Sequence, residues 1–169
     1  ELGKYVDVVS CAKPLQAAAV LWTADYQPKP GLIAGTFAGG TVSLSLGIRI
    51  VEMLIEGGYL GPNGKIVQFE NFIRNDWEMR RERLKEMIHV GESQITGGMI
   101  AFEVLDGKAD TIKKFLDFLF HKGIIAFSAG REPVVVRFLP PMGVITEEQW
   151  LMAMDVFEGA LIEFQKAQS

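Results

Sequence analysis

The sequence predicts a chain of mixed helices and strands in which a small α+β domain begins near residue 58. Three observations support this prediction. With 169 residues, of which 49% are hydrophobic, the chain is long enough to bury a core. Residues 6–12 have the length and composition of a buried strand, and the apolar residues 16–23 predict the adjacent strand. From residue 58 onward the pattern runs helix, strand, helix, strand, strand, helix, which is typical of helices on a small, partly antiparallel sheet.

Composition excludes several classes of function. The net charge of −4 argues against binding to nucleic acid or to an anionic membrane surface. The longest apolar run, residues 42–55, is interrupted by polar and charged residues and is too short to span a bilayer. A single cysteine, Cys11, excludes an internal disulfide and fits a reducing, cytoplasmic compartment. His89 and His121 lie far apart without a ligand pattern, so no metal site is predicted.

The first part of the chain combines two strands with a glycine-rich loop and a helix. The strand over residues 6–12 ends at Lys13, because Pro14 cannot continue a strand ladder. Residues 31–41 form a glycine-rich loop with Thr36 at its centre, and a helix follows over residues 42–55. Apolar residues cover most of that helix, so we predict that it is buried nearly all round. Two consecutive glycines end it.

The second part begins with a long amphipathic helix over residues 65–88. Its arginines alternate with glutamates, which predicts a solvated, ion-paired face. A strand is predicted over residues 93–105, entered through a Gly-Gly kink, and a helix over residues 111–122. Strands are predicted over residues 124–127 and 134–139.

A capping box marks the start of the last helix. Thr146 is followed three positions later by Gln149, so each can satisfy a free backbone N–H of the first helical turn. The predicted apolar face of this helix comprises Trp150, Met154, Phe157, Leu161 and Phe164.

Three side chains are candidates for chemistry. Lys13 ends a predicted buried strand, where partial desolvation favours a neutral, nucleophilic amine; the alternative is a lysine that extends to solvent. Thr36 lies in the glycine-rich loop before a helix N-terminus and could bind a phosphate, or simply its own backbone as a turn residue. Arg137 lies within the apolar segment Val-Val-Val-Arg-Phe-Leu-Pro-Pro and needs an anionic partner. Local reasoning favours an internal salt bridge over a substrate carboxylate.

These features occur together in one order: an Ala-Lys pair ending at Lys13, the Gly-Thr-Phe-Ala-Gly segment at residues 35–39, and the segment around Arg137 followed by Ile-Thr-Glu-Glu. In this combination the chain resembles the C-terminal part of class III pyridoxal-phosphate-dependent aminotransferases, which include acetylornithine, ornithine and 4-aminobutyrate aminotransferases. The resemblance covers essentially the whole chain. It implies an α/β fold of PLP-dependent transferase fold type I. Residues 1–57 would end the large PLP-binding domain with its linking helix, and residues 58–169 would form the C-terminal small α+β domain.

The resemblance also implies the role of each candidate residue. Lys13 matches the lysine that forms the Schiff base with pyridoxal 5'-phosphate. Thr36 matches the threonine that binds the cofactor phosphate in the partner's active site, which implies a homodimer with shared active sites. Arg137 matches the arginine that often holds the substrate α-carboxylate. The implied activity moves an amino group between an amino acid or amine donor and a 2-oxo acid.

The chain departs from the family pattern at two places and leaves alternatives open. Pro14 follows the lysine where the family has a glycine-rich run, and Gly40-Thr41 stands where the family has Asn-Pro. The remaining family site residues would precede Glu1, so we expect a C-terminal part of a longer protein that is inactive alone. The alternatives are a decarboxylating transaminase or aminomutase of the same family, and a non-catalytic α+β interaction module.

Overall fold

The computed structural model describes residues 4–15, 17–32 and 39–168. The chain divides into two compact units, Glu1–Tyr59 and Leu60–Ser169. In the first unit, strand β1 (Val8–Cys11) pairs antiparallel with β2 (Ala19–Trp22), and helix α1 spans Thr41–Glu56. The two predicted strands and the predicted helix are therefore confirmed.

The predicted burial of the first strand is wrong for this chain. Val8 and Val9 of β1 are 48% and 44% exposed, and Leu21 of β2 is 62% exposed. Within the described residues these strands pair only with each other, and a two-stranded ribbon cannot cover both of its own faces.

The prediction that α1 is buried nearly all round is also wrong for this chain. Val42 is 75% exposed and Ile48 is 61% exposed, whereas Gly47 is buried. The described part of the first unit contacts this helix mainly through the short turn between β1 and β2, and one such contact covers only one side of a helix. The helix ends as predicted, with Gly58 at a φ of +68°.

The second unit packs three helices against one antiparallel sheet. Its helices are α2 (Lys65–Leu84), α3 (Ala109–His121) and α4 (Glu147–Gln168). Its strands are β3 (Val90–Thr96), β4 (Met99–Val104), β5 (Phe127–Ala129) and β6 (Val135–Phe138). The sheet order is β3-β4-β6-β5, and every neighbouring pair is antiparallel, where the sequence predicted a partly antiparallel sheet.

The segment predicted as one strand over residues 93–105 is in fact a hairpin. It turns at Gly97-Gly98, between Thr96 and its partner Met99, and Gly97 adopts a φ of +54° that favours glycine. The alternation of side chains continues on both sides of the turn, so periodicity alone does not distinguish a kinked strand from two paired strands. Helix α2 also ends earlier than predicted, at Leu84, and β5 begins only at Phe127.

The core lies between the helices and one face of the sheet. The ring of Trp77 on α2 stacks on Phe102 of β4, with centroids 3.8 Å apart. The predicted apolar face of α4 is confirmed, since all five of its members are buried. The capping box is confirmed as well: the Thr146 N–H donates to Gln149 Oε1 at 3.0 Å, and the Gln149 N–H donates to Thr146 Oγ1 at 3.2 Å.

The predicted solvated face of α2 is confirmed only in part. The pair Arg74–Glu70 (2.8 Å) is partly exposed as expected. Arg80, in contrast, is only 4% exposed and its Nε donates to both oxygens of Asp76, which is also 4% exposed. Helix α4 packs over this position and supplies Glu158, at 2.7 Å from the guanidinium. Burial acts to lower the pKa of Arg80, but hydrogen bonds to Asp76, Asp155 and Glu158 outweigh it and raise the pKa.

Glu70 connects α2 to the β3–β4 turn and makes stability depend on pH. It accepts hydrogen bonds from the Arg74 guanidinium (2.8 Å) and the Gly97 N–H (2.7 Å), and these two bonds lower the pKa of Glu70 below its ordinary value of 4.5. The contribution of ionised Glu70 is therefore complete above pH 4.5 and is lost as the pH falls through the lower, folded-state value. We expect Glu70→Gln to cost about 1 kcal/mol near neutral pH and progressively less in acid.

Denaturant unfolding at several pH values measures this difference. Glu78→Gln is the matched control, because Glu78 lies on the same helix with its side chain 52% exposed. A Glu70→Gln effect that stays constant on acidification would contradict the prediction.

No described helix combines the length and apolar character needed to cross a membrane. In the same ranges, no three histidine, cysteine or acidic side chains lie close enough together to hold a metal ion. Cys11 is a free thiol and is partly buried.

Candidate functional site

Lys13 lies in the turn that joins β1 to β2. It is the first residue of a 3-10 turn, Lys13–Leu15, and the Leu15 N–H donates to the Ala12 carbonyl oxygen at 3.1 Å. The φ of Lys13 is +28°, a region that side-chain-bearing residues rarely adopt. Pro14 further limits the conformations open to the preceding residue. Backbone strain of this kind is concentrated at functional sites in proteins.

Helix α1 supports this turn through a glycine. A Cβ atom placed on Gly47 would lie 3.1 Å from the Leu15 carbonyl oxygen and 3.4 Å from the Ala17 Cβ. Any side chain at Gly47 would therefore press on the backbone two residues after Lys13. The absence of a side chain lets the helix lie directly against the turn, so the position of Lys13 depends on α1.

The side chain of Lys13 is exposed, which corrects the prediction that burial desolvates its amine. Lys13 follows β1, and that strand is itself exposed in this chain.

The proposed phosphate-binding residue lies outside the described residues. Thr36 falls in residues 33–38, so its role stays a prediction. At the described end of this segment, Gly39 has a φ of +86° and Gly40 is the N-cap of α1, with the Leu44 N–H donating to the Gly40 carbonyl at 3.0 Å. The chain thus enters the helix directly after the glycines.

Arg137 lies in β6, an inner strand of the second unit's sheet. Its neighbours in register are Ala101 on β4 and Phe127 on β5. The flanking residues Val136 and Phe138 are buried in the core. Because side chains alternate along a strand, Arg137 projects from the opposite face of the sheet.

The described residues do not form the internal salt bridge with Arg137 that local reasoning favoured. Among the described residues, Arg137 has no carboxylate partner, and its Nε is buried without a hydrogen-bond partner. Its guanidinium instead lies over the Phe127 ring, with Cζ 5.6 Å from the ring centroid. Its two direct partners in register, Ala101 and Phe127, carry no carboxylate. A buried, unsatisfied donor on a charged group is costly and rare in folded proteins, which makes Arg137 a candidate for a functional role.

A groove of about 520 Å³ opens beside Arg137 on the same face of the sheet. This volume is typical of sites for small molecules. Ala101 and Val135 contribute apolar surface to it, and Arg131 contributes positive charge. Three carboxylates also line it, those of Glu92, Glu103 and Glu132. Glu103 lies beside His89, with Oε1 and Nε2 3.3 Å apart. The groove is therefore large enough for a small ligand beside Arg137.

Phe127 is the residue of this site that sequence reasoning missed. It was identified only as the end of a predicted strand. Its pairing with Arg137 depends on the register between β5 and β6, which the sequence does not reveal. Lys13 belongs to the first unit and Arg137 to the second.

The chain is similar to known aminotransferases in sequence and in fold. No family model matches it. It is 28% identical over 139 residues to the acetylornithine aminotransferase of Caldanaerobacter subterraneus subsp. tengcongensis, in an alignment covering 81% of this chain and 32% of that enzyme. A transaminase from the marine bacterium Virgibacillus superposes with a TM-score of 0.80 at 14% identity, covering 96% of this chain and 40% of that one.

A third similar protein has a structure that contains its cofactor. The ornithine aminotransferase of Toxoplasma gondii superposes with a TM-score of 0.73 at 23% identity, covering 95% of this chain and 38% of that one. That structure shows partial occupancy of PLP at its active site. The chain spans about a third of the length of the curated relative it matches. In fold, and more distantly in sequence, the chain therefore resembles the C-terminal portion of class III pyridoxal-phosphate-dependent aminotransferases, as the sequence motifs predicted.

Proposed function

We propose that this chain is the C-terminal part of a class III aminotransferase that moves an amino group between an amino acid or amine donor and a 2-oxo acid. The observation that carries the proposal is the superposition of 96% of the chain on a solved transaminase with a TM-score of 0.80. The sequence similarity to an acetylornithine aminotransferase supports the same activity. The proposed cofactor is pyridoxal 5'-phosphate, which supplies an electron sink for charge that develops at the substrate carbon.

Lys13 is the residue proposed to hold the cofactor covalently. Lys13 is an exposed residue, and the turn against α1 defines where its side chain starts. In the proposed reaction Nζ of Lys13 would hold the cofactor covalently and would move a proton from the substrate carbon. The positive φ at Lys13 supports a functional role, since a turn without one could use glycine there.

Arg137 is proposed to bind the carboxylate of the substrate. Its planar guanidinium offers paired donors that match a carboxylate, and no protein carboxylate occupies them among the described residues. Thr36 is proposed to bind the cofactor phosphate of a partner subunit, which makes the complete protein a homodimer. The proposed compartment is the cytoplasm, in keeping with a single cysteine.

Reductive labelling tests the cofactor and the lysine together. The 169-residue chain and the full-length protein are incubated with pyridoxal phosphate, reduced with borohydride and mapped by peptide mass spectrometry. We expect a pyridoxyl adduct confined to Lys13 in the full-length protein and much weaker labelling in the chain alone. Adducts scattered over surface lysines in both samples would instead favour a non-catalytic interaction module.

A further inference from the structure

We propose that Phe127 is a positioning residue that holds the Arg137 guanidinium in place for a substrate carboxylate. This inference rests on the proposed carboxylate-binding role of Arg137. Phe127 acts through Arg137 and does not itself bind the carboxylate.

The register of the sheet brings the two residues together. Phe127 is the partner of Arg137 in the antiparallel β5–β6 pair, and directly opposed side chains in such a pair lie within contact distance. The guanidinium lies over the ring face at 5.6 Å from the centroid, inside the range of cation–π attraction. On the other side, the partner of Arg137 is Ala101, whose methyl group is too short to hold a guanidinium. Phe127 is therefore the strand neighbour able to orient Arg137.

An aromatic partner leaves the donors of the arginine free. A guanidinium stacked on a ring is held through its flat face, while its N–H groups point outward in its own plane. A carboxylate partner at the same position would occupy two of those donors and neutralise the charge. Phe127 does neither, which fits the buried Nε that has no hydrogen-bond partner. The ring can thus restrict the arginine without neutralising its charge or occupying its terminal N–H groups.

The surroundings of the pair are consistent with access from the groove. Phe127 is 47% exposed, so its ring forms part of the surface and is not a core side chain. Arg137 lines the groove of about 520 Å³. Removing the ring should therefore change the orientation of the Arg137 side chain without creating a cavity in the core. The core contains fully buried rings such as those of Phe102 and Phe157.

Nitrogen NMR of the arginine side chain tests the inference directly. The ¹⁵Nε–Hε signal of Arg137, assigned with Arg137→Lys, is followed while sodium acetate replaces sodium chloride at constant ionic strength. The variants are Phe127→Leu, which removes the ring, and Phe127→Trp, which keeps an aromatic face. Phe120→Leu is the matched control, since Phe120 is 60% exposed and lies on α3.

We expect acetate to shift the Arg137 signal in the wild type, in Phe127→Trp and in Phe120→Leu. In Phe127→Leu the apparent acetate affinity should fall about two- to five-fold, the effect of losing one exposed cation–π contact. The Arg137 signal should also move downfield and sharpen without acetate, because it loses the shielding of the ring and gains mobility. In the full-length protein the same variant should raise KM for carboxylate substrates more than it lowers kcat.

The outcomes separate the two proposals. No acetate response of Arg137 in the wild type contradicts the carboxylate-binding role, and with it the proposed function of this residue. If the wild type responds to acetate and Phe127→Leu responds equally, the carboxylate-binding role of Arg137 stands and the positioning role of Phe127 is overturned. An equal loss of acetate affinity in Phe127→Leu and Phe127→Trp would also overturn the positioning role, because an aromatic face at this position would then make no difference.

Discussion

Replacing Lys13 with alanine is expected to abolish covalent cofactor attachment and to reduce transamination by the full-length protein about a thousandfold or more. The amine of Lys13 is proposed both to hold the cofactor and to move the substrate proton, and a methyl group can do neither. The fold should survive, because Lys13 is exposed and the Gly47 contact involves the backbone of the turn. The absorbance of the bound cofactor and steady-state kinetics measure the two losses.

Lys29→Ala is the matched control, since Lys29 is an exposed lysine of the same unit. It should keep both the cofactor absorbance and the activity. If Lys13→Ala keeps the cofactor absorbance and carries a pyridoxyl adduct on another lysine, Lys13 is not the residue that binds the cofactor. Added methylamine should partly restore turnover in Lys13→Ala if the missing amine is the cause, whereas a misfolded variant would not respond.

Replacing Arg80 with methionine is expected to lower the free energy of unfolding by about 3–5 kcal/mol. Asp76 is 4% exposed, and its carboxylate accepts hydrogen bonds from Arg80 and from the Trp150 indole N–H (3.2 Å). Without Arg80 the charge of Asp76 stays buried with only the indole to compensate it. Helices α2 and α4 would also lose the link between Arg80 and Glu158. Denaturant unfolding followed by far-UV circular dichroism measures the change.

Arg83→Met provides the matched control. Arg83 binds the same Glu158 at 2.8 Å, but its side chain is 55% exposed, so its loss should cost about 1 kcal/mol or less. Combining Asp76→Asn with Arg80→Met should recover part of the loss, because no buried charge remains and the amide oxygen can still accept from Trp150. Similar costs for Arg80→Met and Arg83→Met would show that burial of the pair has no energetic consequence.

Much of the second unit followed from local sequence patterns. The apolar face of α4 and the capping box at Thr146 were both predicted and are both present. Such features depend on residues three or four positions apart, so they are visible in the sequence alone. The hairpin at Gly97-Gly98 was missed because alternation along a strand does not show where the chain reverses.

The candidate site likewise combines residues that the sequence identified with contacts that it did not reveal. Lys13 and Arg137 were identified from their motifs, and the structure locates one in a strained turn and the other on the open face of a sheet. Exposure of Lys13 was given only as an alternative, and the contact of Arg137 with Phe127, without a carboxylate partner among the described residues, was not predicted. Thr36 was identified by its motif alone and lies outside the described residues.

The sequence by itself determined the helices, most of the strands, the composition of the core face of α4 and the family resemblance. Only the tertiary structure decided that Arg80 is buried while Arg83 stays exposed, and that Arg137 meets Phe127 and no carboxylate. The physical reason is the range of the interactions. Helix periodicity and capping are set by neighbours along the chain, whereas burial and strand register are set by segments that meet only after the chain has folded.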